Sequence, residues 1–468
     1  MMQDTETYRD HIGTVDEKTG KRIWVYPKKP EGRYYNSRTI VSIILLALLF
    51  GLPFIRVHGD PLLLFNILER KFIIFGIVFT PQDLHLFALA MITLMVFVVL
   101  FTVVFGRLFC GWVCPQTIFM EMVFRKIEYW IEGDANQQRR LKAAPWTADK
   151  LWKKSLKHII FFAIAVLIAN TFLAYIIGTE ELFKIISEPV SQHFGGFVAL
   201  IVFSGIFYLV FAKMREQVCI AVCPYGRLQG VLLDKNSIVV AYDWIRGEPR
   251  GKIRKNQELS EEKKLGDCID CGACVRVCPT AIDIRNGTQL ECVNCTACID
   301  ACDEIMDKVG RERGLIRYDS YSGIESGRKS LFTGRVKAYM GVLLALIVLQ
   351  VFLFATRSDV EAVILRTPGM LYQKVDDTYI SNLYNYQVIN KTTEDIGGIE
   401  FRLLNPNGRI NVVGQVPVAG KQAISEGAFF IEMEADKLEG RKTTLEIEVY
   451  ANGKKIDDAK TNFLGPVK

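Results

Sequence analysis

The chain has 468 residues, a formal charge of +6, 50% hydrophobic residues and 23% charged ones. It is too long for one domain. A positive mean hydropathy beside that much charge excludes a uniformly soluble globule and implies apolar spans alternating with charged parts. No nucleic-acid partner is expected.

Residues 1–37 are polar and charged, with no apolar core behind a short basic start, so no cleavable signal peptide is expected. Five stretches are apolar enough to span a bilayer, which takes about 17–25 residues: residues 39–55, 86–105, 158–177, 194–212 and 338–356. Lysine and arginine bias sets their orientation. Lys21, Arg22, Lys28, Lys29, Arg33 and Arg38 precede the first span. Arg125, Lys126, Arg139, Arg140, Lys142, Lys150, Lys153, Lys154 and Lys157 lie between the second and third. Both regions read as cytoplasmic. Between spans three and four, Glu180, Glu181 and Glu188 face a single Lys184, which reads as outside. The N-terminus and the segment between spans four and five are therefore expected inside, and the C-terminal tail outside. Between spans one and two, residues 62–68 and 72–79 are apolar but too short to cross. They are expected at the outer interface or as a short hairpin.

Two motifs of the form C-x3-C-P occur, Cys110-Gly111-Trp112-Val113-Cys114-Pro115 after span two and Cys219-Ile220-Ala221-Val222-Cys223-Pro224 after span four. On a helix, residues i and i+4 have Cβ atoms about 5–6 Å apart, too far for a disulfide, which wants about 3.5–4.5 Å. Each pair is better placed to share a metal, and the proline is expected to end or bend the helix. Four soft thiolates select Cu(I), zinc or iron–sulfur iron. Copper is the first reading, zinc or a further iron–sulfur centre the second, and unmetallated buried cysteines the third. Arg107 beside the first pair either raises its thiolate content or snorkels at the membrane end. His85 and His193, near outer span ends, are conceivable haem ligands, but ligand-free interfacial histidines are far commoner, and haem is not expected.

Between spans four and five come the most informative residues. Cys268-x2-Cys271-x2-Cys274-x3-Cys278-Pro279 is followed by Cys292-x2-Cys295-x2-Cys298-x3-Cys302. Each is the bacterial ferredoxin run, and the pair implies two [4Fe–4S] clusters. Zinc would account for C-x2-C pairs but not for two identical four-cysteine runs in tandem. Three cysteines at x2 intervals wrap one corner of a cubane, and the fourth crosses to the other cluster. The expected ligand sets are Cys268, Cys271, Cys274 and Cys302 for one cluster, and Cys292, Cys295, Cys298 and Cys278 for the other. Such thiols must stay reduced, which implies a reducing compartment. Asn286-Gly287, flanked by Ile282–Arg285 and Thr288–Glu291, is a type I′ hairpin signal that would fold the second run onto the first. Asp303 stands where a proline would echo Pro279, which puts the local turn in question.

From about residue 358, short β-rich runs at residues 401–404, 429–433 and 445–450 alternate with turns such as Asn405-Pro406-Asn407-Gly408 and Asn452-Gly453. They suit an immunoglobulin-like sandwich with a binding or structural role. The expected organisation is thus a multi-domain membrane protein. Residues 1–38 form a cytoplasmic segment and 39–213 carry spans one to four. Residues 214–335 form a cytoplasmic region with a ferredoxin-like α+β core near 259–310. Residues 336–356 hold the fifth span, and 357–468 an exported all-β domain.

The arrangement resembles the FixG/CcoG (RdxA) family of cytochrome c oxidase accessory proteins. The stretches that carry the resemblance include Arg70-Lys71-Phe72, Pro81-Gln82-Asp83, Gly106-Arg107 through Cys114-Pro115-Gln116-Thr117, Ile131-Glu132-Gly133-Asp134 and Ala143-Ala144-Pro145-Trp146. Met214 through Cys219, Cys223-Pro224-Tyr225, Arg246 through Gly251, and Arg313 through Tyr318 continue it. The resemblance implies an inner-membrane protein needed to build the cbb-type haem–copper oxidase, whose clusters reduce Cu(II) to Cu(I). It also implies copper ions, oxidase assembly factors or copper chaperones as partners, an electron donor it does not identify, and Cys110, Cys114, Cys219 and Cys223 as copper candidates. Electron exchange with quinone, and a non-redox scaffold with structural clusters, are the alternatives.

Overall fold

The computed structural model describes residues 19, 21–57, 59–67, 71–79, 83–252, 265–327, 331–369, 371–376, 378–392, 394–405, 407–414, 418–438 and 440–466. Among them, five helices are long and apolar enough to cross a membrane: Arg33–Phe54, Leu84–Phe105, Ala148–Ile177, Phe194–Met214 and Gly334–Ala355. The last buries 0% of its apolar window within the protein, so its apolar surface is left for lipid to cover. All five expected spans are present. Helices one and three begin several residues earlier than hydropathy marks; at the first, the Asp300 carboxylate accepts from the Tyr34 N–H at 3.1 Å and the Tyr35 N–H at 2.8 Å. Thr147 caps the third, its hydroxyl accepting from the Lys150 N–H at 3.4 Å.

The chain divides into two units. The first, Met1–Phe54 with Leu89–Val348, combines helices with the cysteine-rich segment. An aromatic core lies among the helices: Phe124 stacks on Phe211 and meets Phe161 edge-on, both at 4.7 Å between centroids. Strands Val239–Tyr242 and Ile316–Asp319 pair antiparallel and bracket the two cysteine runs. Helices Ala273–Val277 and Ala297–Lys308 pack together there.

The Asn286-Gly287 hairpin does not form. Ile284–Asn286 is a single 3-10 turn, and only Gly287 takes a positive φ, 98°. A type I′ turn needs two such residues. Here the Asp283 carboxylate accepts from the Arg285 N–H at 3.0 Å and from its guanidinium, which fixes a capped turn instead. Where Pro279 follows a helix that ends at Val277, Asp303 lets its counterpart run on through Cys302 to Lys308.

The second unit is Ile55–Ala88 with Leu349–Lys468. Its segment between the first two candidate spans forms strands Leu63–Asn66, Lys71–Ile74 and Ile77–Phe79, a small antiparallel sheet; residues 68–70 lie outside the described residues. Phe75 and Gly76, at φ 52° and 79°, supply the left-handed pair that a tight hairpin requires. The tail is an antiparallel two-sheet sandwich. One sheet runs Gly408–Val412, Ile424–Glu434, Tyr379–Asn390, Val360–Arg366, with Gln373–Lys374 beside the third of these. The other runs Ile399–Leu403, Lys442–Ala451, Lys454–Leu464. Strict alternation buries Leu445, Ile447 and Val449 against Tyr384, Phe429 and Phe463, as a half-exposed strand should. Asn452 and Gly453, at φ 50° and 77°, close the expected hairpin. Asp83 is buried between Arg357 at 2.9 Å and Lys391 at 2.8 Å.

Candidate iron–sulfur and thiolate sites

The two ferredoxin runs wind alike. Asp270 and Gly272 flank Cys271 at φ 51° and 66°, and Asn294 and Thr296 flank Cys295 at φ 53° and 64°. Left-handed residues on both sides of the middle cysteine curl the loop tightly. Thr296 is the costly one, since β-branched residues avoid this region; its hydroxyl donates to the Cys295 carbonyl at 2.6 Å.

These loops line two pockets. One is bounded by Cys268, Cys271, Cys274 and Cys302 together with Tyr242, Arg285, Met306, Leu315 and Ile316. The other is bounded by Cys278, Cys292, Cys295 and Cys298 together with Thr280, Ile282, Ile284, Val293 and Thr296; Cys274 touches it as well. Soft sulfur donors in mostly apolar walls fit an iron–sulfur cluster rather than a hard cation. Burial pushes the Cys292 and Cys302 thiols up to about 12, and Cys274 and Cys295 up to about 11. Their ligation therefore releases protons on iron binding.

The two C-x3-C-P motifs also share a backbone. Cys110 ends within the short helix Leu108–Trp112, while Cys114, at ψ 124°, is the extended N-cap of the next helix, with Pro115 in its first turn. Cys219 lies in the π-helical turn Val218–Val222, and Cys223, at ψ 112°, caps Pro224–Leu232. In both, the N–H of the second cysteine donates five residues back, Cys114 to Phe109 at 2.9 Å and Cys223 to Val218 at 2.7 Å. The continuous i, i+4 helix face expected from spacing is therefore replaced by a break at the second cysteine. Proline is the reason: it drives the residue before it out of the helical region.

The four thiols are electrostatic neighbours. Cys110, Cys114 and Cys223 all act on Cys219, whose thiol burial pushes up to about 12, and burial also raises Cys110. Gln229, fully buried, donates its amide to Cys110 Sγ at 3.2 Å. Among the described residues, however, no three His, Cys, Asp or Glu side chains gather as a single-ion site. His193 pairs with Glu188 at 2.5 Å.

Arg107 does not snorkel. It is 5% exposed and donates to the carbonyls of Leu290, Cys292 and Gly226, clamping both the second ferredoxin run and the helix after Cys223. Sequence reading also missed a buried charge belt. Lys157 reaches Glu132 at 2.8 Å and Glu128 at 3.4 Å, Arg215 pairs with Glu128, and Arg22 reaches Glu216 at 2.6 Å. Trp24 is held between the Arg22 and Arg215 guanidinium groups, at 4.8 and 4.6 Å. Arg22, Lys154 and Lys157 read as orientation markers, and Ile131 to Asp134 and Met214 to Gln217 as stretches that carry the family resemblance, rather than as ion-pair partners.

Fold and site together define a multi-pass membrane protein with a two-cluster ferredoxin-type domain and a C-terminal immunoglobulin-like sandwich. Family comparison agrees. A 4Fe-4S dicluster domain matches residues 214–321, a 4Fe-4S binding domain matches residues 87–133, and the IG-like fold at the C-terminus of FixG matches residues 350–466. Nitrogen fixation protein FixG of Rhizobium meliloti is 39% identical over 64% of this chain and 58% of its own length. Thus the match spans under two thirds of that relative. Proteins RdxA and RdxB of Cereibacter sphaeroides are each 34% identical over 80% of this chain, covering 81% and 80% of their own lengths. The chain belongs to the FixG/RdxA family of ferredoxin-type proteins.

Proposed function

We propose that this is a membrane electron-transfer protein with two [4Fe–4S] clusters, one held by Cys268, Cys271, Cys274 and Cys302 and the other by Cys278, Cys292, Cys295 and Cys298. One observation carries the reading: each cavity is lined by three cysteines of one run and the last cysteine of the other. When bound, the clusters supply one-electron storage at potentials set by burial and hydrogen bonds to sulfur. The chain's own part is to hold the sulfurs in apolar walls, exclude water, and bring the acceptor close.

The acceptor in this reading is cupric ion, reduced to Cu(I) as substrate for building a cbb-type oxidase in the inner membrane. Cys110, Cys114, Cys219 and Cys223 pass it along. Each C-x3-C pair offers two soft thiolates, which favour the cuprous product. Lysine and arginine bias places the N-terminus and the cluster segment in the cytoplasm and the sandwich outside. The domain limits in this reading are 1–38, 39–213, 214–335, 336–356 and 357–468. Oxidase assembly factors or copper chaperones are the proposed partners.

Electron exchange with a quinone, whose reduction takes up protons as well as electrons, is the second reading. Anaerobic protein with reduced clusters separates the readings: add Cu(II) or a quinone and follow cluster bleaching. Reoxidation by copper supports the first reading and by quinone the second. Reoxidation by neither leaves a scaffold with structural clusters.

A further inference from the structure

Gly111 lies inside the first C-x3-C-P motif, and it packs directly on the second ferredoxin run. A Cβ built there would stand 2.5 Å from the Asn294 carbonyl oxygen and 2.6 Å from that of Val293. Both distances are far inside van der Waals contact, and both obstacles are backbone. Only glycine lets the Cys110 helix lie on the loop that runs from Cys292 to Cys295. Three side chains hold the contact. Arg38, 4% exposed, donates Nε to the Gly111 carbonyl at 3.0 Å and Nη1 to the Cys295 carbonyl at 2.9 Å. Trp112 donates to the Tyr318 hydroxyl at 2.9 Å, and that hydroxyl donates to the Asn294 carbonyl at 3.3 Å. Cys110 itself packs on the apolar cluster of Val277, Val293 and Cys295. The three atoms nearest that Cβ position all belong to Val293 and Asn294.

We infer that Gly111 and Arg38 are positioning residues that fix a short gap between the Cys292–Cys295 loop and the Cys110 thiol. The cluster held by Cys278, Cys292, Cys295 and Cys298 is thereby the exit for electrons, and the other cluster is the entry. This rests on the copper reading above for its acceptor. One electron moves per copper: that cluster is oxidised by one electron, a cupric ion becomes cuprous, and no proton or covalent bond is exchanged.

The test compares full-length, iron-loaded wild type with Gly111→Ala, Arg38→Lys and the control Gly205→Ala, whose added Cβ meets nothing within 4 Å. Each is reduced, freed of reductant, and mixed with Cu(II) or with ferricyanide, an outer-sphere oxidant that needs no thiolate. Cluster potentials and the rate of Cys110 alkylation are measured alongside. Gly111→Ala and Arg38→Lys should slow copper-driven reoxidation by about tenfold or more, as small misplacements do. Ferricyanide-driven reoxidation and cluster potentials should stay at wild-type values, Cys110 alkylation should change, and Gly205→Ala should match wild type throughout. A merely structural role would alter both oxidants together. If Gly111→Ala loses iron, Arg38→Lys, which keeps the charge but cannot reach both carbonyls, decides alone. Wild-type copper rates and Cys110 alkylation in the iron-loaded variants would overturn the inference. Failure of wild type itself to react with copper would instead sink the copper reading, and alkylation alone would then decide whether the gap is set by these residues.

Discussion

A cysteine contributes a ligand only where its neighbours aim it, and the pairs flanking Cys271 and Cys295 do so with left-handed backbone. The crossed ligation gives a sharp expectation at this scale. Cys278→Ser should abolish the spectrum of the cluster assigned to Cys292, Cys295 and Cys298, and Cys302→Ser that of the other. Each variant should keep about half of the roughly eight iron atoms of two [4Fe–4S] clusters, by metal analysis beside electron paramagnetic resonance. Loss of the Cys268–Cys274 signal in Cys278→Ser would reverse the assignment. The cysteine spacing made these residues legible. Arg107, Gln229 and Arg38 were not, because each acts on a backbone carbonyl or a sulfur more than 70 positions away in the chain, and no local pattern announces such a partner.

Helix ends carry the next level of organisation. The charged start of the third spanning helix and the helix Arg125–Glu132 meet through Lys154, Lys157, Glu128 and Glu132. Burial alone would raise the Glu128 pKa, but Arg215 and Lys157 outweigh it and hold the carboxyl below its usual value. A depressed folded pKa stabilises the fold above the unfolded value, about 4.3 for Glu, and that stability is lost as pH falls through the folded value. Wild type in detergent should therefore lose thermal stability on acidification below about pH 4, and Glu128→Gln should lose less over that range. At neutral pH Glu128→Gln should be less stable by about 3–5 kcal/mol, since it leaves Arg215 buried without its carboxylate. Equal melting temperatures for the two at pH 7 would refute the belt's role. In the second unit, Lys391→Met should destabilise the sandwich by a similar amount, because Asp83 and Glu361 both lose a buried partner. Thermal melts followed by circular dichroism measure it. Leu445→Ala, in the sandwich core, should cost about 2–5 kcal/mol by cavity formation.

At the scale of the whole molecule, five candidate spans among the described residues, read with the lysine and arginine bias, predict that residues 327 and 466 lie on opposite sides of a membrane. A phosphatase reporter that works only outside the cytoplasm should be active when fused after residue 466 and inactive when fused after residue 327. Activity at both positions would mean that Gly334–Ala355, the single candidate span between them among the described residues, does not cross. That topology is the one the proposed function requires: cluster thiols need a reducing environment, and no cysteine follows Cys302 in the sequence of the tail.

Sequence by itself determined the spans, the ferredoxin-type domain, the β-rich tail and the tail's Asn452-Gly453 turn. These rest on hydropathy, metal-ligand spacing and residue-specific backbone preference, which are properties of short windows. It misjudged Asn286-Gly287, where the Asp283 carboxylate outcompeted strand pairing, but it placed the helix break at Pro115 and Pro224, where proline drives the preceding cysteine out of the helical region. Only the tertiary structure decided which cysteines line each cavity, that Gly111 rests on the Val293 and Asn294 carbonyls, and that basic residues marking orientation also neutralise buried carboxylates. Those facts depend on atoms brought within a few ångströms by packing, and chain order carries no distance between them.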